Sequence, residues 1–192
     1  MTDPLAQGLN ELTAALTALG IRFLVGGSLA SSAHGVVRAT FDGDLVALIF
    51  PPQAKMLAKA LGSGWYTEPE MMQQAIKSGR AFKLIHLPSA MKFDIFPAST
   101  DFHDSELERA TLTPLRIEGA TLCPVATPED ALLAKLQWYR DGGEVSDRQW
   151  SDIGGLIATN PAMDWEYVNS WAARLGVTSL LERARARAEA EL

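Results

Sequence analysis

Three aspartates in strand-like surroundings could together bind metal ions in this chain. Asp42 and Asp44 are one residue apart, and Asp94 lies within the apolar run KFDIF. Because side chains alternate along a strand, Asp42 and Asp44 are expected on the same side of a sheet. A third carboxylate from a neighbouring strand would complete an oxygen-lined site for hard divalent cations. We therefore predict that Asp42, Asp44 and Asp94 converge in one cleft as catalytic and metal-binding residues.

A glycine turn upstream of these aspartates could bind phosphate groups. A strand-like run over residues 21–25 ends in Gly26, Gly27 and Ser28, and a helix is predicted over residues 28–34. Backbone N–H groups at such a turn suit the oxygens of a polyphosphate. The same turn also fits an ordinary strand-to-helix connection with Ser28 as the N-cap. The two interpretations are compatible, because a capped helix N-terminus is itself an anion site.

Each aspartate also has a plainer interpretation. Asp-Gly between apolar runs is a favoured hairpin turn, which would place Asp42 in an exposed loop. Asp94 could instead lie on an edge strand and pair with Lys92 or Lys83, since aspartate is almost never fully buried without a partner. The order and spacing of the glycine turn and the aspartates favour the metal and phosphate interpretation.

The elements that would position these residues are strands and helices in mixed order up to about residue 125, followed only by helices. A polar stretch over residues 98–109 is predicted to cross between strands without regular structure of its own. The predicted helices cover residues 5–16, 28–34, 51–61, 69–77, 147–158, 164–175 and 179–190, and a further helix is predicted to start at Thr127. The predicted strands cover residues 21–25, 44–50, 81–87, 91–96, 112–117 and 121–125.

Composition limits the classes of protein that this chain can be. Its 192 residues, 47% of them hydrophobic, can bury one core or a core with a helical appendage. A net charge of -6 argues against a protein that mainly grips nucleic acid through phosphates. The single cysteine, Cys123, excludes an intrachain disulfide. With no signal-peptide pattern and no apolar run near the roughly 20 residues that span a bilayer, we predict a cytoplasmic protein without a membrane partner.

Two longer runs are similar to a known family. The run FLVGGSLASSAHGVVRATFDGDLV, from position 23, resembles the signature of minimal nucleotidyltransferases of the DNA polymerase β-like superfamily. The run TPEDALLAKLQWYRDGGEVSDRQWSDI, from position 127, looks like the helical region of a bacterial branch related to abortive-infection toxin nucleotidyltransferases. The resemblance covers nearly the whole chain.

This resemblance implies an α/β (α+β) fold with a nucleotidyltransferase-type mixed sheet flanked by helices. A core over residues 1–125 would carry a C-terminal helical region over residues 126–192. The implied activity is transfer of a nucleoside monophosphate from a nucleoside triphosphate to a hydroxyl acceptor, with two Mg²⁺ ions or Mn²⁺ in their place. The acceptor, whether tRNA, protein or a small molecule, is left open, and a cognate antitoxin is a further partner.

The resemblance also assigns roles to individual residues. Asp42, Asp44 and Asp94 would be the carboxylate triad, and the glycine turn with Ser28 would hold the phosphates. Lys135 and Asp152 match positions that often face the active site in related toxins. The predicted nucleotide-binding residues are Gly26, Gly27, Ser28, Arg38, Thr40 and Lys135. For Lys135 the alternative is a lysine that extends its ammonium to solvent from the edge of an apolar stripe.

Gly43 departs from the family pattern, which usually has isoleucine or a similar residue between the two aspartates. Glycine within a strand costs on the order of 1 kcal/mol, and the missing side chain would pack on the face away from the metals. We therefore expect Gly43→Ile to raise stability and to preserve or increase transfer. Gly43 and the acidic surface also favour a rival function, a non-catalytic nucleotide-binding or toxin–antitoxin module. An aminoglycoside-type transferase is a third hypothesis, since an acidic surface suits a cationic substrate.

Overall fold

The computed structural model describes residues 3–36 and 39–190 of the chain. Within these residues, Gly62–Gly64 also form a short 3-10 turn. The α-helices are α1 (Pro4–Ala18), α2 (Gly27–Ala33), α3 (Gln53–Leu61), α4 (Pro69–Lys77), α5 (Asp101–Arg109), α6 (Pro128–Asp141), α7 (Asp147–Thr159), α8 (Trp165–Leu175) and α9 (Thr178–Ala190). The strands are β1 (Arg22–Val25), β2 (Asp42–Leu48), β3 (Trp65–Tyr66), β4 (Phe82–His86), β5 (Met91–Pro97), β6 (Thr111–Thr113) and β7 (Cys123–Val125).

Five of the described helices, α1, α5, α6, α7 and α8, begin where a side-chain oxygen accepts an N–H group of the first turn. Asp3 accepts from Leu5 N at 2.8 Å at the start of α1. Thr127 caps α6 in the same way, and Ser146 and Asp164 cap α7 and α8. The first N–H groups of a helix have no partner within it, so each cap satisfies a donor that would otherwise be left open. These polar signals explain why the helices after Thr127 start within a residue or two of their predicted positions.

The strands form one mixed sheet with the order β3-β4-β5-β2-β1-β7-β6. The parallel pair β2 and β5 lies near its centre, and β1 and β4 flank this pair in antiparallel orientation. Asp44 lies directly opposite Asp94, and Gly43 directly opposite Phe93. The Asp-Gly-Asp segment therefore belongs to a central strand, and the hairpin interpretation is wrong. Asp94 is likewise not on an edge strand.

The stretch between β5 and α6 differs most from the sequence-based prediction. Residues Asp101–Arg109 form α5, where no regular structure was expected. Its buried side chains are only Phe102, Glu106 and Leu107, too few to give a clear apolar stripe. Strands β6 and β7 pair as predicted but are only three residues long each. The two-residue strand β3 was not predicted either, because its pairing with β4 is set by a long-range contact.

The two faces of the sheet carry different helices. Helix α1 covers the face of Gly43 and Phe93, since Gly8 on α1 lies against the Phe93 ring. Helices α5 and α6 lie over the opposite face, which carries Asp44 and Phe96. There the Phe96 ring stacks on Trp138 of α6, with ring centres 5.3 Å apart. Asp44 and Asp94 consequently face the side of the sheet on which α5 and α6 pack.

The Phe93 ring fills a slot between two glycines. A methyl group on Gly43 would lie 2.8 Å from Phe93 Cδ1, and one on Gly8 would lie 2.9 Å from Phe93 Cε2. Phe93 is fully buried and also packs against Trp65, with ring centres 5.4 Å apart. The expectation that Gly43 leaves room for an isoleucine is therefore wrong, because an aromatic ring from the neighbouring strand already occupies that space.

After β7, the described chain is helical from α6 to α9, as predicted. One continuous hydrophobic core joins these helices to the sheet, running from Leu5 to Ala184. The division into a core over residues 1–125 and a helical region over residues 126–192 stays a prediction. Within the described ranges, none of the helices is long and apolar enough to cross a membrane.

We predict that Gly43→Ile lowers the free energy of unfolding by at least about 2 kcal/mol, because it overpacks the slot that the Phe93 ring fills. Phe93→Leu should recover part of this loss when combined with Gly43→Ile, although it is destabilising alone. Urea denaturation of the two single variants and the double variant measures this coupling. Gly64→Ala is the matched control, because a methyl group there would meet no atom within 4 Å. Additive effects, or a stabilised Gly43→Ile, would contradict the slot.

Candidate active site

Gly27 lies directly against the side chain of Asp44. A methyl group on Gly27 would lie 2.7 Å from Asp44 Cγ and would overlap the carboxylate oxygen beside it. Gly27 also has φ +56°, a left-handed conformation that favours glycine. Gly26 N donates a hydrogen bond to the backbone O of Asp44 at 2.8 Å. The start of α2 and strand β2 are thus held in contact at the carboxylate itself.

The acidity of Asp44 is strongly perturbed by its surroundings. Burial, together with the negative charges of Asp42 and then Asp94, raises the pKa of Asp44 from 3.8 to about 6. The positive charges of Lys135 and Lys83 act in the opposite direction. The three carboxylates are therefore close enough to repel one another, as expected for side chains on one face of adjacent strands.

The two outer carboxylates already have partners. Thr40 Oγ1 donates to Asp42 Oδ1 at 2.7 Å, and Lys83 Nζ lies 3.2 Å from Asp94 Oδ1. The ion pair with Lys83 that was considered for Asp94 is therefore present, although Asp94 lies on a central strand. Over residues 3–36 and 39–190, no three His, Cys, Asp or Glu side chains are gathered closely enough to hold a metal ion. Metal binding by the triad stays a prediction.

Lys135 is buried rather than extended to solvent. Its Nζ lies 2.8 Å from Asp152 Oδ2, and each of the two side chains is only 5% exposed. A buried ion pair of this kind costs about 3–5 kcal/mol when one partner is removed. Because the charge of Lys135 lowers the pKa of Asp44, its ammonium is also near the carboxylate site. The structure thus brings Lys135 and Asp152 together at the edge of this site.

The other residues predicted to bind the nucleotide differ in where the structure places them. Gly26, not Ser28, is the N-cap of α2, and Ser28 lies buried in its first turn. The Gly26 N–H donates to the Asp44 carbonyl, and Gly27 and Ser28 are the first two residues of the helix. Thr40 contacts Asp42 as described above, and Arg38 lies outside the described residues. Nucleotide binding by this set stays a prediction.

A cavity of about 40 Å³ adjoins Asp44 on the side of the glycine turn. Its wall includes Gly26, Gly27 and Asp44, together with side chains of α5 and α6. Two titratable groups of α5, His103 and Glu106, also line it. Burial lowers the pKa of His103, while burial and the charge of Asp130 raise the pKa of Glu106 well above its usual range. Sequence reasoning missed both residues because it did not predict the helix that carries them.

A polar cluster fixes α5 against α6 and α8. Arg109 Nε lies 3.3 Å from Asp130 Oδ2, and Arg109 Nη2 lies 3.2 Å from Glu129 Oε2. The guanidinium also sits 3.8 Å from the ring centre of Tyr167, whose hydroxyl donates to Asp130 Oδ1 at 2.6 Å. Bonds to charged groups of this kind contribute about 1.5–3 kcal/mol each. The wall of the cavity formed by α5 is therefore firmly placed relative to Asp44.

Comparison of the sequence with known proteins gives no assignment, because no family model and no curated protein sequence matches it. Comparison of the fold finds similar solved structures. The solution structure of the antibiotic-resistance factor ANT(2'')-Ia aligns with 100% of this chain and 98% of its own, at 16% identity and a TM-score of 0.54. A crystal structure of ANT(2'')-Ia in complex with adenylyl-2''-tobramycin covers 90% of this chain and 97% of that one, at 16% identity and a TM-score of 0.55.

A third similar structure is an antigenic nucleotidyltransferase-like protein from Paracoccidioides brasiliensis. It covers 96% of this chain and 93% of its own length, at 19% identity and a TM-score of 0.52. At these identities the likeness is one of fold. The predicted fold class is confirmed: the chain has the mixed sheet and helices of the nucleotidyltransferase fold. The relation to the abortive-infection branch stays a prediction.

We predict that Gly27→Ala lowers stability by about 2 kcal/mol or more, because its methyl group overlaps Asp44 in a strained left-handed conformation. Gly26→Ala is the control, because its methyl group would make only ordinary contacts, at 3.8 Å. Combining Gly27→Ala with Asp44→Ala should restore part of the lost stability by removing the overlapping carboxylate. Thermal melts of Gly26→Ala, Gly27→Ala, Asp44→Ala and the double variant test this, and equal losses for Gly26→Ala and Gly27→Ala would contradict the close contact.

We also predict that Asp44→Asn stabilises the metal-free protein at neutral pH. The folded state holds the Asp44 proton more tightly than the unfolded chain, because its pKa is raised from 3.8 to about 6. Stability is therefore lost as pH rises between these values, by up to about 3 kcal/mol at pH 7. The gain from Asp44→Asn should appear at pH 7 and shrink toward pH 4.

Urea denaturation in the presence of chelator across this pH range measures the gain. Glu182→Gln, at an exposed carboxylate on α9, is the matched control and should leave the pH profile unchanged. A gain that is independent of pH would show that Asp44 destabilises the fold through packing rather than through its charge.

Proposed function

We propose that this protein is a metal-dependent nucleotidyltransferase that moves a nucleoside monophosphate from a nucleoside triphosphate to a hydroxyl acceptor. One observation carries the proposal: Asp44 and Asp94 are aligned on neighbouring parallel strands, and the glycine turn packs directly on Asp44. Two candidate metal ligands and a candidate phosphate site thus share one small region. Nucleotidyltransferases of the same fold align with nearly the whole chain, which supports this use of the carboxylates.

The chemistry of the site suits Mg²⁺, with Mn²⁺ as a substitute. The donors are carboxylate oxygens, the ligands that Mg²⁺ prefers. Burial and the negative charges of Asp42 and Asp94 raise the pKa of Asp44, and a divalent cation would offset both the burial cost and the repulsion among these carboxylates. Asp42 and Asp44 would hold two ions, with Asp94 completing the set. Bound there, the ions would stabilise the attacking and leaving oxygens of an in-line displacement.

The chain's own groups would supply the remaining steps. The first N–H groups of α2, from Gly27 and Ser28, would bind phosphate oxygens. Asp94 would accept the proton of the acceptor hydroxyl. Lys135, held by Asp152, would add positive charge beside Asp44 and the phosphates. Such a site relies on positioning and charge neutralisation, because little covalent chemistry is asked of the protein.

The chemical class of the acceptor is the more specific part of the proposal. ANT(2'')-Ia has been seen with adenylyl-2''-tobramycin, an adenylyl group joined to a small molecule. This likeness makes small molecules the first acceptor class to test, ahead of tRNA and protein hydroxyls. A toxin-like role with a cognate antitoxin rests on the resemblance of the run from position 127. The non-catalytic rival loses the support of Gly43, because the Phe93 ring fills the space of the missing side chain.

Isothermal calorimetry with ATP, GTP, CTP and UTP tests the first step. At least one triphosphate should bind in Mg²⁺ about tenfold or more tightly than in excess chelator, because the carboxylates and phosphates otherwise repel. Asp42→Asn and Asp94→Asn should lose this magnesium dependence, while the exposed control Asp141→Asn keeps it. Equal binding of the wild type in chelator would contradict the metal site.

Label transfer from the bound triphosphate tests the second step. Total RNA, cell protein and a small-molecule panel serve as acceptors. The wild type should label one of them, and Asp94→Asn should reduce the rate at least about a hundredfold, the scale on which a general base contributes. Magnesium-dependent binding with no transfer to any acceptor would instead favour the non-catalytic module.

A further inference from the structure

The cavity beside Asp44 lies on the phosphate side of the candidate active site. Gly26, Gly27 and Asp44 form part of its wall, whereas Asp42, Asp94 and Lys83 do not. An acceptor hydroxyl would have to approach Asp94, the proposed base, and so would come from outside this cavity. The group that reaches the cavity is therefore the nucleoside, which is joined to the phosphates.

Glu106 is a buried acid without a partner in this cavity. It is only 3% exposed. Within residues 3–36 and 39–190, no hydrogen bond or ion pair joins its carboxyl group to another residue. The neighbouring acids are different, because Asp130 receives Arg109, Tyr167 and Thr127, and Glu129 receives Arg109 and the Asp164 N–H. Because Glu106 lines the cavity and no protein group satisfies its carboxyl group, this carboxyl group can bind a ligand group that enters the cavity.

The size and chemistry of the cavity limit that group. A volume of about 40 Å³ has room for about three water-sized groups. Its other walls include the aromatic rings of Phe96 and Trp138, so polar contacts come from few side chains. His103 is one of them: its Nδ1 accepts from Ser99 N, which makes Nε2–H the donor of the neutral ring. A donor and a carboxyl group in a small, partly apolar space suit a pair of hydroxyl groups.

We propose that Glu106 is a specificity residue that binds a ribose hydroxyl of the nucleoside triphosphate, with His103 beside it. The inference rests on the proposed function, since it takes the triphosphate as the ligand of the glycine turn. The ribose hydroxyls are a few covalent bonds from the phosphates, so phosphates at Gly27 bring the sugar to the cavity next to it. A carboxyl group can accept from a ribose hydroxyl, and in its protonated form it can also donate.

The test compares three probes for binding in Mg²⁺: the ribonucleoside triphosphate that binds the wild type most tightly, its 2′-deoxy and 3′-deoxy analogues, and inorganic tripolyphosphate. The wild type should prefer the ribonucleotide over at least one deoxy analogue by about tenfold, the size of one good hydrogen bond. Glu106→Leu should remove this preference and leave tripolyphosphate binding unchanged. Glu106→Gln, which keeps the shape and some hydrogen bonding, should reduce the preference only in part.

Glu108→Gln is the matched control, because Glu108 is exposed on the same helix and should leave all affinities unchanged. If Glu106→Leu does not fold, the ratio for Glu106→Gln decides: an unchanged ratio overturns the proposal. A wild type without preference, or a Glu106→Leu that weakens all probes equally, also overturns it. An effect of Glu106→Leu that is confined to the KM for the acceptor would overturn it as well. If neither tripolyphosphate nor any triphosphate binds the wild type, the proposed function itself has failed, which is a different result.

Discussion

The contact between Gly27 and Asp44 is the constraint on which the rest of the site depends. A helix and a strand meet here without any intervening side chain on the helix, and a backbone hydrogen bond from Gly26 to Asp44 closes the same junction. Only glycine allows this approach in a left-handed conformation. The glycine turn, the carboxylate and the cavity behind them are therefore placed by one junction. Any residue that widened it would separate all three.

The two faces of the central strands differ: one packs in the hydrophobic core, and the other carries the candidate site. On one face, Gly8, Gly43 and Phe93 interlock in a closely packed, buried layer. On the other, Asp44 is held half-buried among like charges, which costs stability at neutral pH. Natural proteins commonly tolerate such a cost at functional sites, where the strain is used. The packed face and the Arg109 cluster between α5, α6 and α8 supply rigidity that keeps the repelling carboxylates in place.

Much of the fold could be predicted from the sequence, because it rests on local signals. Capping residues such as Thr127 and Ser146 mark helix starts, and period-two alternation is enough to place Asp42 and Asp44 on one face. The failures are non-local or weakly patterned. Helix α5 has Thr100 as a capping residue but few apolar residues, so its polar sequence predicts a crossing segment rather than a helix. The filling of the space at Gly43 depends on a ring fifty residues away at Phe93, which no local pattern reveals.

The register of β2 and β5 also bears on how the protein reaches its folded state. Asp44 and Asp94 become neighbours only when two strands far apart in the chain pair in parallel. Such long-range parallel pairing carries a large loop-closure entropy and is intrinsically slow. The hairpin of β4 and β5 can form from local contacts, but it contains only one of the aspartates. A chain emerging during synthesis therefore acquires its complete set of carboxylates late, after much of its secondary structure has formed.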